Sequence, residues 1–207
     1  IQKETGIDNW FLYQILSIVN LYKKLQELKN INLSNDLIKD AKKSGFSDKM
    51  IAKACNITDN LVREFRYINN ILPCVKQIDT VAAEFPCITN YLYLTYNSQF
   101  SDVLDTNLFE YKNNSKSVMV LGSGVYRIGS SVEFDWCCVS CVRELKKNKI
   151  KTIMINNNPE TVSTDYDEAD KLYFEELSVE VVNDIYNIEN KKVVNSNVSS
   201  PKIDNKL

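Results

Sequence analysis

No histidine occurs anywhere in the 207 residues. That removes the commonest general base and metal ligand, and with it every serine–histidine or cysteine–histidine nucleophile pair within the chain. No apolar run approaches the ~18–20 residues of a membrane span, and no charged-then-apolar opening marks a signal peptide. A basic excess is missing too. The 25 Lys and Arg against 27 Asp and Glu give a formal charge of −2, where a dedicated nucleic-acid binder shows a clear surplus. There is no Gly-x-x-x-x-Gly-Lys-Ser/Thr phosphate loop, no pair of carboxylates placed for a metal, and no internal repeat. These absences predict a chain with no membrane or nucleic-acid partner and no metal or cofactor of its own.

What is present is a globular composition. With 44% hydrophobic residues, the chain is large enough for one sizeable core or two small ones. It opens on Ile1 rather than Met, which suggests a piece of something longer. Six cysteines are placed poorly for disulfides. Cys137, Cys138 and Cys141 share one predicted helix, while Cys55, Cys74 and Cys87 are scattered in apolar contexts. Reduced thiols in a cytoplasmic protein are the expectation.

Phe11, Ile15, Ile18, Val19, Tyr22, Leu25 and Leu28 recur at helical steps, and Asp8 is placed to cap the start, so a helix is predicted over residues 8–30. Three shorter helices follow. One runs from near Ser34 to Gly45; one opens at Ser47 and carries Met50, Ile51 and Ala54; one opens at Thr58 and carries Leu61, Val62, Phe65 and Ile68. Helices this short are marginal alone, so the Phe11, Ile15, Ile18, Tyr22 stripe is expected to be buried on them. Pro73 ends the block. Ile78, Val81 and Phe85 suit a strand or a helical turn, and Tyr91, Tyr93 and Tyr96 an edge strand. From Ser117 the pattern turns to α/β: a strand at 118–121, a helix at about 132–147, strands at 152–156 and 172–174, and a last helix at about 178–189. The fold class is therefore α plus α/β, an N-terminal all-α domain followed by a small parallel-sheet domain. The expected boundaries are 1–96 helical, 97–116 a connector, 117–190 α/β, and 191–207 a disordered tail.

Three constellations invite a chemical reading. Gly122, Gly124 and Gly129 form a Gly-x-Gly-x-x-x-x-Gly turn between a strand and a helix, where backbone amides can meet an anion. A nicotinamide site fails two tests, because Arg127 stands at the third glycine position and Asn156 where an acid should end the second strand. The competing reading is a turn that only lets the strand enter the helix. Cys138-Val-Ser-Cys141 has redox spacing but lies inside the predicted helix, where small residues packed on the sheet are expected. Residues 47–69 resemble a helix-turn-helix, yet Asp59, Arg63, Glu64 and Arg66 on its second helix cancel in charge, which argues against DNA reading.

A series of longer motifs is more specific. In order they are Gly-Ile-Asp-Asn-Trp-Phe-Leu at 6–12, Ser-Gly-Phe-Ser-Asp-Lys-Met-Ile-Ala at 44–52, Val-Lys-Gln-Ile-Asp-Thr-Val-Ala-Ala-Glu-Phe at 75–85, and Tyr-Leu-Tyr-Leu-Thr-Tyr at 91–96. Then come Arg-Ile-Gly at 127–129, Val-Glu-Phe-Asp-Trp-Cys-Cys-Val at 132–139, and Asn-Asn-Pro-Glu-Thr-Val-Ser-Thr-Asp-Tyr-Asp at 157–167. Together they resemble the carbamoyl-phosphate synthase large chain over about residues 6–190.

The resemblance implies an oligomerisation domain followed by the Rossmann-like domain that precedes the ATP-grasp fold of the second, carbamate-phosphorylating half. It implies a ligase of pyrimidine and arginine biosynthesis that uses bicarbonate, two ATP and ammonia from glutamine. ATP and Mg or Mn would be held elsewhere in the intact enzyme. Partners would be the other domains of the same chain, a glutaminase subunit or domain, and further copies met through the helical domain. By the same resemblance Arg127 and Glu133 line an internal passage for carbamate. The chain departs from the family at the turn, with Val125 and Tyr126 where Pro-Asn is usual and Ser130 and Ser131 where Gln-Gly is usual. A purely structural, subunit-contact role is the rival reading.

Overall fold

Short polar side chains set the helix starts in the first seventy residues. The Asp8 carboxylate accepts from Trp10 N at 2.8 Å, Ser47 Oγ from Met50 N at 3.1 Å, and Thr58 Oγ1 from Leu61 N at 3.4 Å, each satisfying an amide the helix leaves unpaired. The computed structural model describes residues 1–28, 33–87, 89–102, 117–125 and 132–194. Its helices here are α1 (Gln2–Thr5), α2 (Asn9–Glu27), α3 (Asn35–Lys43), α4 (Asp48–Cys55) and α5 (Asp59–Ile68). The chain forms two units: Ile1–Cys74 with Thr95–Phe100, and Val75–Leu94 with the chain from Ser101 onward.

The first unit is built on Leu25, Ile38, Phe46, Ile51, Val62 and Ile71, with Leu21, Tyr22 and Phe65 packed at the margin. The expected burial of the whole α2 stripe does not hold. Leu25 is buried and Tyr22 half-buried, but Phe11, Ile15 and Ile18 are exposed, Ile15 by 56%. The cause is length. A 19-residue helix is ~28 Å long, and helices of eight to ten residues at ~12–15 Å cover only its last turns. Met50, Leu61 and Ile68, also expected in the core, are exposed.

The second unit holds a five-stranded sheet of β1 (Cys74–Gln77), β2 (Tyr91–Thr95), β3 (Ser117–Leu121), β4 (Lys151–Asn156) and β5 (Lys171–Phe174), in the order β1-β2-β5-β4-β3. The β2–β5, β5–β4 and β4–β3 ladders are parallel, with Met119 opposite Ile153 and Ile155 opposite Tyr173. Residues 91–95 are therefore an inner strand and not an edge. β1 covers them, and it is held by Ser101 Oγ accepting from Val75 N and Asp102 accepting from Gln77 N, both at 3.0 Å. Ile78 lies just past β1, and Val81 and Phe85 belong to an exposed loop, neither strand nor helix.

Alternation along the strands divides the core into two layers. Ile153, Ile155 and Tyr173 pack with Ile185 of α7 (Val179–Val194), while Val120, Met154 and Leu172 pack with Val142 of α6 (Val132–Lys147). The mixed α/β class follows, with helices on both faces of a mostly parallel sheet. Helix α7 runs to Val194, past the expected end near 189, so the first residues assigned to a tail are helical. Residues 195–207 and most of the expected connector lie outside the described residues. No described helix is long and apolar enough to cross a membrane.

Candidate functional site

The carboxyl ends of β3, β4 and β5 gather the chemistry-bearing residues of the second unit, the edge at which parallel α/β sheets carry their sites. At the end of β3, Gly122 N donates to Ile155 O at 2.8 Å and extends the ladder by one residue. A Cβ on Gly122 would stand 2.5 Å from Asn156 Cγ, so glycine is required there by contact. Gly124 is required by conformation, with φ +74. Asn156, fully buried, is locked in place: its Nδ2 donates to Ser163 Oγ at 3.1 Å and its Oδ1 accepts from Asn157 N at 2.9 Å.

Helix α6 enters beside this turn. Asp135, 3% exposed, accepts from Ser163 N at 3.1 Å through Oδ2. The loop after β4 is thereby tied to the first turn of the helix. Asp135 Oδ1, Asn157 Oδ1 and Ser123 Oγ are buried with no hydrogen-bond partner among the described residues. Two of the three are pure acceptors, so this edge offers more to water or a donor group than to a bare anion. Glu133, two positions before Asp135 in the first turn of α6, is exposed. Arg127 and Gly129 lie outside the described residues.

At the end of β5, Glu175 accepts from Leu94 N at 2.6 Å through Oε1, which continues the β2–β5 ladder with a side chain. Burial pushes its carboxyl pKa up against the opposing effect of that hydrogen bond, and Glu176 adds to the rise. Sequence reasoning missed Asp135, Ser163 and Glu175 as site residues. Asp135 in a first helical turn was visible, but its partner 28 positions away was not.

The other constellations resolve differently. Cys138 is half-buried with Sγ 3.3 Å from Leu121 O, and burial raises its pKa; Cys141, expected against the sheet, is exposed. All six thiols are free. In the helix-turn-helix-like segment, Arg66 is not on the outer face. It is fully buried and paired with Asp48 through Nε at 2.7 Å and Nη2 at 2.6 Å, while Lys42 reaches the same carboxylate at 3.4 Å. Among the described residues no group of three or more Cys, Asp or Glu is placed to hold a metal.

Two family models match the chain: the carbamoyl-phosphate synthetase large chain oligomerisation domain over residues 1–70, and the carbamoyl phosphate synthase preATP-grasp domain over residues 114–199. Together they take in well over half of it. The chain belongs to the carbamoyl-phosphate synthase large-chain family. It is 52% identical over 189 residues to carbamoyl-phosphate synthase (ammonia), mitochondrial, of Rattus norvegicus, covering 91% of this chain and 12% of that one. Identity to the carbamoyl phosphate synthase arginine-specific large chain, mitochondrial, of Neurospora crassa is 56% over 190 residues, 91% of this chain and 16% of that one. Identity to the multifunctional protein pyr1-3 of Dictyostelium discoideum is 54% over 187 residues, 90% of this chain and 8% of that one. The chain thus spans between 8% and 16% of these curated relatives. Within the family frame, the strands β1 and β2 fall between the two matched stretches.

Proposed function

We propose that this chain supplies the assembly domain and the pre-ATP-grasp domain of a carbamoyl-phosphate synthase large chain, which makes carbamoyl phosphate from bicarbonate, ATP and ammonia released by a glutaminase. The observation that carries the reading is the succession of the two family matches along one chain, with relatives similar across both. The helical unit would be the all-α oligomerisation domain, and the sheet unit the Rossmann-like domain leading to an ATP-grasp fold. ATP and Mg or Mn would be held by other parts of the synthase. Free thiols suit a reducing compartment, the cytoplasm or the mitochondrial interior that two relatives' names carry.

Arg127 and Glu133 would line the passage for carbamate beside the turn of Gly122, Gly124 and Gly129. An exposed Glu133 at the carboxyl edge of the sheet supports this, since it is free to face a hydrated channel. The test places this chain's sequence in the Neurospora crassa large chain in exchange for the 190 residues it matches. That chimera should synthesise carbamoyl phosphate, and an inactive but folded chimera overturns the functional reading. In it, Glu133→Ala should leave bicarbonate-dependent ATP hydrolysis largely intact while carbamoyl phosphate output falls. A parallel loss of both activities and of thermal stability would assign Glu133 to holding the turn, and no change in either would remove it from the passage.

A further inference from the structure

Helix α6 carries three cysteines, and burial pairs them differently from their spacing in the chain. Cys138, the first thiol of the Cys138-Val-Ser-Cys141 motif, turns toward the sheet, half-buried, and donates to Leu121 O at 3.3 Å. Cys137 and Cys141 are the two that face solvent. Four residues apart on one helix, they lie about 40° apart around its axis and one turn apart along it, so they are neighbours on a single face.

Spacing decides what this pair can do. Cβ atoms at such positions are ~5–6 Å apart, whereas a disulfide needs ~3.5–4.5 Å. An intact α6 therefore holds the two thiols too far apart to oxidise to each other. One ion bound at ~2.3 Å from each sulfur needs the sulfurs only on the order of 4.6 Å apart, which side chains on that face can supply. We propose that Cys137 and Cys141 form a two-coordinate site for a soft monovalent cation, Cu(I). Zinc prefers four ligands, and among the described residues no third Cys, Asp or Glu joins the pair. Glu144, the next carboxylate along this face, already accepts from Lys147 Nζ and from Asn148 Nδ2, both at 3.2 Å. Thiolates select soft ions, and Cu(I) is one that two sulfurs satisfy. Two thiols and one Cu(I) give a bis-thiolate complex of charge −1 and release two protons to solvent, with no change of oxidation state. The proposal rests on α6 alone and not on the synthase reading above.

Anaerobic competition with the Cu(I)–bicinchoninate complex tests this on the 207-residue chain. The chain should withdraw one Cu(I), and copper-edge X-ray absorption should report two sulfur neighbours. Cys137→Ser and Cys141→Ser should each weaken uptake by at least about tenfold, the least that even an outer-shell change costs a metal site. Cys138→Ser, whose thiol faces the sheet, and Cys87→Ser, on a separate loop, should leave it within about twofold. Copper that stays with the chelator overturns the proposal. One Cu(I) per two chains, or three sulfur neighbours, overturns a two-coordinate site within one chain. Uptake that survives both Cys137→Ser and Cys141→Ser, or that Cys138→Ser weakens equally, overturns it by placing the ion elsewhere. Cys137→Ala and Cys141→Ala, with melting read alongside, keep the test decisive if a serine variant unfolds.

Discussion

Gly122 shows how much one position can depend on another far along the chain. A strand-to-helix turn explains a glycine in general terms, but the specific demand comes from Asn156, whose side chain occupies the place a Cβ would take. Asn156 is buried and bonded to Ser163 and Asn157, so it has little room to yield. Gly122→Ala should therefore cost about 1–3 kcal/mol in urea denaturation. Glu175 offers a prediction in pH. Its pKa is raised in the folded state by burial, so folding favours the protonated form. That contribution is complete below the unfolded carboxyl's ordinary value and is lost as pH rises through the folded value. Glu175→Gln keeps an acceptor for Leu94 N and carries no charge. The stability of the variant relative to the parent should grow from pH 4 upward and level off once Glu175 is ionised in the folded protein, followed by denaturation at a series of pH values. A constant difference across that range would remove Glu175 as the cause.

Among elements, α4 and α5 are joined by more than apolar contact. Asp48 in the first turn of α4 takes a bidentate bond from Arg66 of α5 and is also approached by Lys42 of α3, all three buried. Arg66 Nη1 further donates to Ile71 O at 3.2 Å and Tyr96 Oη at 2.8 Å, which ties the return segment at Thr95–Phe100 to the helices. Asp48→Ala removes the carboxylate both cations share and should lower stability by about 3–5 kcal/mol, read by thermal or urea unfolding. Ser47→Ala, which removes only the cap on Met50 N, should cost about 1 kcal/mol in the same assay. The starts of these helices were legible, because Asp8, Ser47 and Thr58 act within three residues of themselves. The ion cluster was not. Arg66 reads as one of four charges on an outward face, and only the packing of α3, α4 and α5 turns it inward.

For the whole molecule, exposure replaces periodicity as the deciding evidence. The Phe11, Ile15, Ile18 repeat predicts a core, and in this chain it faces solvent. Ile15→Asp should accordingly change the stability of the 207-residue chain by no more than about 0.5 kcal/mol, where a core position would lose several. A large loss in calorimetric melting would mean that Ile15 is buried in solution. The sheet shows the same division between local and distant information. The strands at 117–121 and 151–156, with α6 between them, were readable from apolar runs and a helical repeat. That β2 is an inner strand depended on β1, a four-residue strand too short for a pattern of its own and held in place by Ser101 and Asp102.

By itself the sequence determined the helix starts, the βαβ unit and the family, because each rests on neighbouring residues or on ordered motifs. Tertiary structure decided the rest. It placed Asn156 under Gly122, paired Asp135 with Ser163 across 28 positions, buried Arg66, and left the first half of α2 uncovered. The physical reason is that burial and hydrogen-bond partnership belong to three-dimensional neighbours. Periodicity states which side chains share a face, and only the length and placement of the elements opposite state whether that face is covered.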